Sequence, residues 1–249
     1  MRSIIFIVCI LFLILGCEDQ PNPTVDPNNT DMTSSSPIQD VNFLTEDSVL
    51  IHATLYNGSG KGVLILVHQL NKDRSTWDAF ARYAQEKGYS SLAIDMRGHG
   101  ENKGSWKSFS NADFANIVLD IKAAKQFLSD NGYPTDHLVI IGASIGANAA
   151  LRYASEDPDV LGLFLLSPGL EYRGVKTHDA IVQYGTRFVE IAVSDGDTYS
   201  AQSAEQLDDL AKNPKLQIRS FEGNAHGTDM LNDLYMETLV LELNALTQQ

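Results

Sequence analysis

Residues 138–150 read Leu138-Val139-Ile140-Ile141-Gly142-Ala143-Ser144-Ile145-Gly146-Ala147-Asn148-Ala149-Ala150. Four apolar residues run straight into Gly-x-Ser-x-Gly, and an alanine-rich segment follows. An uninterrupted apolar run predicts a strand buried on both faces. The alanines predict a helix. The glycines at the junction permit a tight, strained turn that lifts the Ser144 hydroxyl above the sheet. There it meets a helix N-terminus, where developing negative charge is stabilised. The pattern is short, and its place between strand and helix is what gives it weight. The bland alternative is a strand-to-helix turn with a capping serine.

The same alternation extends outward in both directions. Residues 63–67 are continuously apolar, and 91–94, 161–166, 188–193 and 216–221 read as further strands. Helical spacing covers 73–87, 112–131, 145–155, 176–183, 200–212 and 228–246. Strand alternating with helix predicts an α/β fold, a mostly parallel sheet with helices on both faces. Residues 41–57 alternate loosely around Thr45-Glu46-Asp47-Ser48 and predict an N-terminal antiparallel hairpin. Ligands in such sheets sit at the carboxyl ends of the strands.

A serine nucleophile needs a base, and six histidines are present. His226, in Glu222-Gly223-Asn224-Ala225-His226-Gly227, follows the last strand and shares the edge of Ser144. His52 lies on the hairpin, His137 starts a strand at the opposite edge, and His178 falls in a helix. His68 and His99 sit at the right edge but in turns, where they brace through hydrogen bonds. The base needs an orienting carboxylate. Asp195 and Asp197 both follow the strand at 188–193. Asp197, after the Gly196 turn, is favoured; Asp195 as a turn-former and Glu171 remain alternatives.

This constellation resembles the α/β-hydrolase family over residues 41–249. Asp95-Met96-Arg97-Gly98-His99-Gly100 is similar to that family's D-x-R-G-x-G turn, and the order Ser144, Asp197, His226 is the family's own. Val67-His68-Gln69-Leu70 resembles the strand-end H-G-x segment, with Gln69 where glycine is usual. The family commonly has a serine in the turn after Gly100, where Glu101 and Asn102 stand here. The resemblance implies an oxyanion hole made by the backbone N–H groups of Leu70 and Ile145, and a Ser-His-Asp acyl-enzyme mechanism with no metal and no cofactor. No His or Asp cluster has metal-ligand spacing. Only 167–175 separate one strand from the next helix, which leaves no room for a cap domain. Candidate substrate-lining residues are Gln69, Trp77, Met96, Trp106 and Tyr172, with Leu70 and Leu170. An open site suits short acyl or exposed esters. The overall likeness is to small esterases and dienelactone-hydrolase-like proteins, although dienelactone hydrolases proper use cysteine where Ser144 stands. Peptidase, thioesterase or deacetylase chemistry on envelope substrates is an alternative, as is a non-catalytic binding lipoprotein.

The N-terminus reads differently. Arg2 precedes twelve apolar residues, 4–15, and then Gly16-Cys17. The charge and the length predict a signal peptide over 1–16, since a membrane-spanning helix needs about 20 residues. Ile14-Leu15-Gly16-Cys17 resembles a bacterial lipobox, which implies cleavage before Cys17 and lipid on it. Residues 17–40 are rich in Pro, Asn, Asp, Ser and Thr and predict a disordered tether with a reach of roughly 25 Å. The expected location is the cell envelope, lipid-anchored, with the outer membrane or surface ahead of the inner membrane because Glu18 replaces the retaining Asp. Cys9 and Cys17 are the two cysteines of the 249 residues, so residues beyond 17 form no disulfide. The net charge of −14 disfavours nucleic acid as a partner.

Overall fold

The apolar runs assemble into one sheet. In the computed structural model, which describes residues 37–247, its strands are β1 (Ile38–Leu44), β2 (Leu50–Tyr56), β3 (Gly62–Val67), β4 (Tyr89–Ile94), β5 (Leu138–Ala143), β6 (Val160–Leu166), β9 (Phe188–Ser194) and β10 (Leu216–Phe221). They lie in the order β1-β2-β4-β3-β5-β6-β9-β10. β2 runs antiparallel to β1 and β4, and the remaining pairs are parallel. The short strands β7 (Glu171–Tyr172) and β8 (Val175–Lys176) form a separate hairpin. The helices are α1 (Asp78–Glu86), α2 (Asn111–Ala115), α3 (Ile117–Asp130), α4 (Ile145–Glu156), α5 (His178–Tyr184), α6 (Thr198–Ala211) and α7 (Asp233–Thr247).

The unbroken apolarity of β3 now has its cause. Val63, Ile65 and Val67 face a core shared with Ile117 and Ile121 of α3 and Leu151 of α4. Leu64 and Leu66 face the opposite core, with Phe80 of α1 and Leu239 and Leu243 of α7. Both sheet faces are covered at β3, so its side chains on either face are apolar. The chain steps from β3 outward to β4 and then back across to β5. That reversal opens a crevice at the carboxyl ends of β3 and β5, the place where such sheets bind ligands. The segments after these strands carry Gln69, Leu70 and Ser144. No cap domain interrupts the fold, since only residues 167–177, with β7 and β8, join β6 to α5.

Three boundaries differ from expectation. β1 begins at Ile38 and pairs along its full length, from Ile38↔Tyr56 to Leu44↔Leu50, so the domain starts before residue 41. Asp40 and Asn42 point to solvent from an edge strand, which gives this segment the composition of a tether. The helix expected over 112–131 is divided at Asn116 into α2 and α3. Residues 73–87 open with a 3₁₀ turn, Arg74–Trp77, whose first N–H groups are capped by Asp73. The signal peptide at 1–16, Cys17 and the tether through residue 36 lie outside the described residues.

At the end of β3 the fully buried His68 ring clamps two loops together. Its Nδ1 donates to the Gln69 carbonyl at 2.8 Å, and its Nε2 accepts the Met96 N–H at 3.0 Å. Only the neutral ring makes both bonds. Burial accordingly drives its pKa from 6.5 down to about 4. Between those values the unfolded chain binds a proton that the folded chain refuses, so stability falls as pH falls. The expected loss from this ring is about 2 kcal/mol at pH 5 relative to pH 7.5. Denaturant titrations at the two pH values check it, and His68→Gln should flatten the dependence. An unchanged slope in that variant disproves the assignment.

Candidate active site

Ser144 sits between β5 and α4 with φ 54° and ψ −121°, a conformation that L-residues occupy only under constraint. The constraint is close packing. A Cβ on Gly142 would lie 2.5 Å from the Gly146 carbonyl oxygen, and one on Gly146 would lie 2.5 Å from that of His68. The glycines therefore let the turn press against β3, and the buried Ala147, Ala149 and Ala150 let α4 follow it down. The Ser144 N–H bonds the Leu166 carbonyl at 2.8 Å, and its own carbonyl accepts from Ala147 and Asn148 at 2.9 and 3.1 Å. Backbone contacts thus hold the turn without calling on the side-chain hydroxyl.

His226 follows β10, and Asp197 follows β9. His226 Nδ1 and Asp197 Oδ2 are 2.7 Å apart. Burial works to raise the Asp197 pKa, but hydrogen bonds with His226 and Ser200 outweigh it and hold the carboxyl below its ordinary value. Asp195 points elsewhere, its Oδ1 accepting the Gly223 N–H at 2.8 Å. The close turn between them needs Gly196, whose Cβ would fall 2.2 Å from Asn224 Oδ1.

The segment after His226 is tied down on two sides. Gly227 N–H donates to Ser167 Oγ at 2.9 Å. Gln69 Oε1 accepts from the Thr228 N–H and hydroxyl at 3.0 and 2.8 Å, and Gln69 Nε2 donates to the His226 carbonyl at 3.2 Å. Gln69 borders the cavity, yet its amide fixes the histidine loop rather than reaching for substrate. A glycine there provides no such brace.

The loop after β4 supports the other side. The buried Asp95 carboxylate accepts the Arg74 and Glu101 N–H groups at 2.7 and 2.9 Å. Gly100, at φ 54°, leaves room for that carboxylate, since a Cβ would sit 2.1 Å from it. Arg97 joins Asp120 of α3 to Asp47 of the hairpin turn. Asn102 closes the loop, donating to the Asp95 and Met96 carbonyls at 2.7 and 3.1 Å and accepting the His52 N–H at 2.9 Å.

A cavity of about 360 Å³ is lined by Gln69, Leu70, Asn71, Ser144, Ile145, Glu171, Tyr172, Arg173 and His226. Tyr172 stands edge-on to His226, ring centres 6.3 Å apart. Its hydroxyl lies 3.1 Å from Ser200 Oγ, and burial pushes its pKa up to about 12, so it remains a hydrogen-bond donor at neutral pH. The β7–β8 hairpin that carries Tyr172 is anchored to α4 by Asn148, which donates to the Val175 carbonyl at 2.8 Å and accepts the Gly169 N–H at 3.0 Å.

Four expected lining residues are elsewhere, Leu170 among them, packed against the core that holds Ile117 and Leu151. Trp77 is fully buried in the core under α1 and α7, and Met96 in the core on the other face. Each fills a core layer beside a loop, where sequence order does not distinguish an apolar side chain facing the core from one facing a cavity. Trp106 stacks on His99 at 5.7 Å with planes 10° apart, outside the cavity lining. Asn71 and Arg173, which do line it, were missed. Gly174 is a turn mark that points to the second, its neighbour. Among the described residues no group of three or more His, Cys, Asp or Glu is gathered to hold a metal ion.

Comparison with known proteins agrees with this architecture. A family model described as serine aminopeptidase, S33, matches residues 58–225. An uncharacterised protein of Mycobacterium tuberculosis is 28% identical over 114 residues, 45% of this chain and 30% of that protein. The match thus spans less than a third of the length of this curated relative. Among solved structures, an esterase of Pyrococcus furiosus superposes with a TM-score of 0.71 at 18% identity, covering 84% of this chain and 93% of the esterase. An α/β hydrolase of a Penicillium species gives 0.74 at 14% identity, covering 86% and 100%. These likenesses establish the α/β-hydrolase fold.

Proposed function

Because this chain belongs to the serine aminopeptidase, S33, family of hydrolases, we propose that it cleaves carboxylic esters by a serine mechanism, with Ser144 as nucleophile, His226 as base and Asp197 as orienting acid. The observation that carries the reading is the 2.7 Å bond between Asp197 and His226 in a histidine that shares one cavity with Ser144. Asp197 occupies Nδ1 and so fixes the tautomer whose Nε2 takes the serine proton. Ser144 Oγ attacks the carbonyl carbon, and the oxyanion faces the N–H groups of Leu70 and Ile145. Ile145 is the first residue of α4, so its N–H has no helical carbonyl to bond. Loss of one such donor typically lowers turnover ~10²–10³-fold. His226 returns the proton to the leaving alcohol, and water releases the acid by the same steps in reverse.

The uncapped cavity favours short acyl groups or an ester exposed on a larger molecule. The family description favours a second reading, removal of residues from peptide N-termini. In the same proposal Cys17 carries lipid and residues 18–36 hold the domain away from a membrane of the cell envelope.

Hydrolysis of p-nitrophenyl esters from acetate to palmitate, beside aminoacyl p-nitroanilides, separates these readings. The expected profile peaks at acetate to butyrate and exceeds the anilide rates by at least about tenfold. A preference for anilides moves the assignment to the peptidase. A folded protein that neither cleaves an ester nor reacts with a fluorophosphonate overturns the serine mechanism.

A further inference from the structure

Among the described residues, six that are not glycine hold a positive φ: Ser48, Asn71, Ser144, Ser167, Arg173 and Lys212. Asn71, Ser144 and Arg173 line the same cavity, and Ser167 braces the loop of His226. Conformations that cost free energy gather where function requires them, and for Ser144 and Ser167 the requirement is already plain.

Arg173 is the unexplained case. It is the first of two residues joining β7 to β8, with φ 50° there and 83° at Gly174. Two successive positive φ values mark a tight hairpin turn whose first place suits Asn, Asp or Gly. Gly174 is required, since its Cβ would lie 2.7 Å from that of Asn111. Arg173 has no such reason. It is exposed, and among the described residues its guanidinium makes no hydrogen bond, ion pair or ring contact. Neighbouring charges are already matched. Glu171, the carboxylate in the same cavity lining, faces Lys176 at 4.0 Å. An uncompensated cation thus borders the cavity in a chain of net charge −14. Asn71, on the loop after β3, adds an exposed amide to the same rim.

We infer that Arg173, aided by Asn71, is an anion subsite and that the substrate is an ester bearing a carboxylate apart from the bond that is cut. A guanidinium fork fits a carboxylate with two parallel hydrogen bonds. One unmatched positive charge balances a monoanion, whereas a phosphate dianion would leave excess negative charge on an acidic protein. The inference rests on the serine-hydrolase reading and adds the substrate class.

Two ester pairs test it in the full-length protein. p-Nitrophenyl hydrogen glutarate against p-nitrophenyl valerate places the charge on the acyl side. 4-Carboxyphenyl butyrate against phenyl butyrate places it on the alcohol side. The readout is the ratio of kcat/KM, anionic over neutral, in wild type, Arg173→Asn and Arg173→Lys. In one pair the ratio should fall about tenfold or more in Arg173→Asn, and less in Arg173→Lys. In wild type it should fall with added salt. The melting temperature of Arg173→Asn should equal or exceed that of wild type, because asparagine suits the turn. Hydrolysis of the neutral esters with ratios unaltered by either variant overturns the subsite and leaves the serine hydrolase standing. Failure to cleave any of the four esters, with Ser144 unreactive to fluorophosphonate, removes both.

Discussion

Ser144→Ala lowers ester hydrolysis by about 10⁴-fold or more, and the variant melts with the wild type. The first expectation follows from the chemistry, since among the described residues no other hydroxyl lines the cavity except the phenol of Tyr172. That phenol is a poor nucleophile while its pKa stands near 12. The second follows from the turn. The bonds that secure it run from the Ser144 backbone to Leu166, Ala147 and Asn148, and alanine keeps them all. Steady-state rates on p-nitrophenyl butyrate with a thermal melt decide it. Residual activity above a few per cent, in protein free of wild type, rules Ser144 out as nucleophile.

Asp197→Asn is the second large effect, a loss of about 10³–10⁴-fold in kcat. The amide presents its NH₂ or a weaker acceptor to His226 Nδ1, and neither holds the ring in the working tautomer with its cation stabilised. Asp195→Asn is the matched control, two residues away on the same turn. Asp195 accepts one backbone N–H, from Gly223 at 2.8 Å, and the carbonyl of asparagine accepts it equally, so activity should stay within a few-fold. If the two variants rank the other way, the orienting carboxylate is Asp195.

The fold was legible because burial on both sheet faces leaves an unmistakable trace. Leu64 and Ile65 face opposite cores, and their neighbours are apolar for the same reason. The turn at Ser144 was legible because only glycine fits at 142 and 146. The positions of Asp197 and His226 followed from parallel topology, which sends every strand end to one edge. What stayed hidden depended on side-chain direction. Trp77 and Trp106 lie in segments near the site, and nothing in sequence order tells a core-facing ring from a cavity-facing one. In sequence Gln69 is only a departure from the usual glycine and a candidate lining residue. Only its bonds to His226 and Thr228 reveal a brace between residues 157 and 159 positions apart. β1 was misread at its start because an edge strand shows solvent polar residues at every second position.

Asn148 has a mechanical consequence. One amide joins α4, whose first turn follows Ser144, to Val175 in β8 and to Gly169 in the segment that leads into β7. Floor and wall of the cavity are therefore tied together through one side chain. A swinging motion of the hairpin would strip two hydrogen bonds from a buried amide, and each orphaned group costs ~1–3 kcal/mol. A wall held in this way favours binding with little closure of the site. On the serine-hydrolase reading proposed above, selectivity would then reside in what the rim accepts at first encounter, with no opening step to time the departure of products.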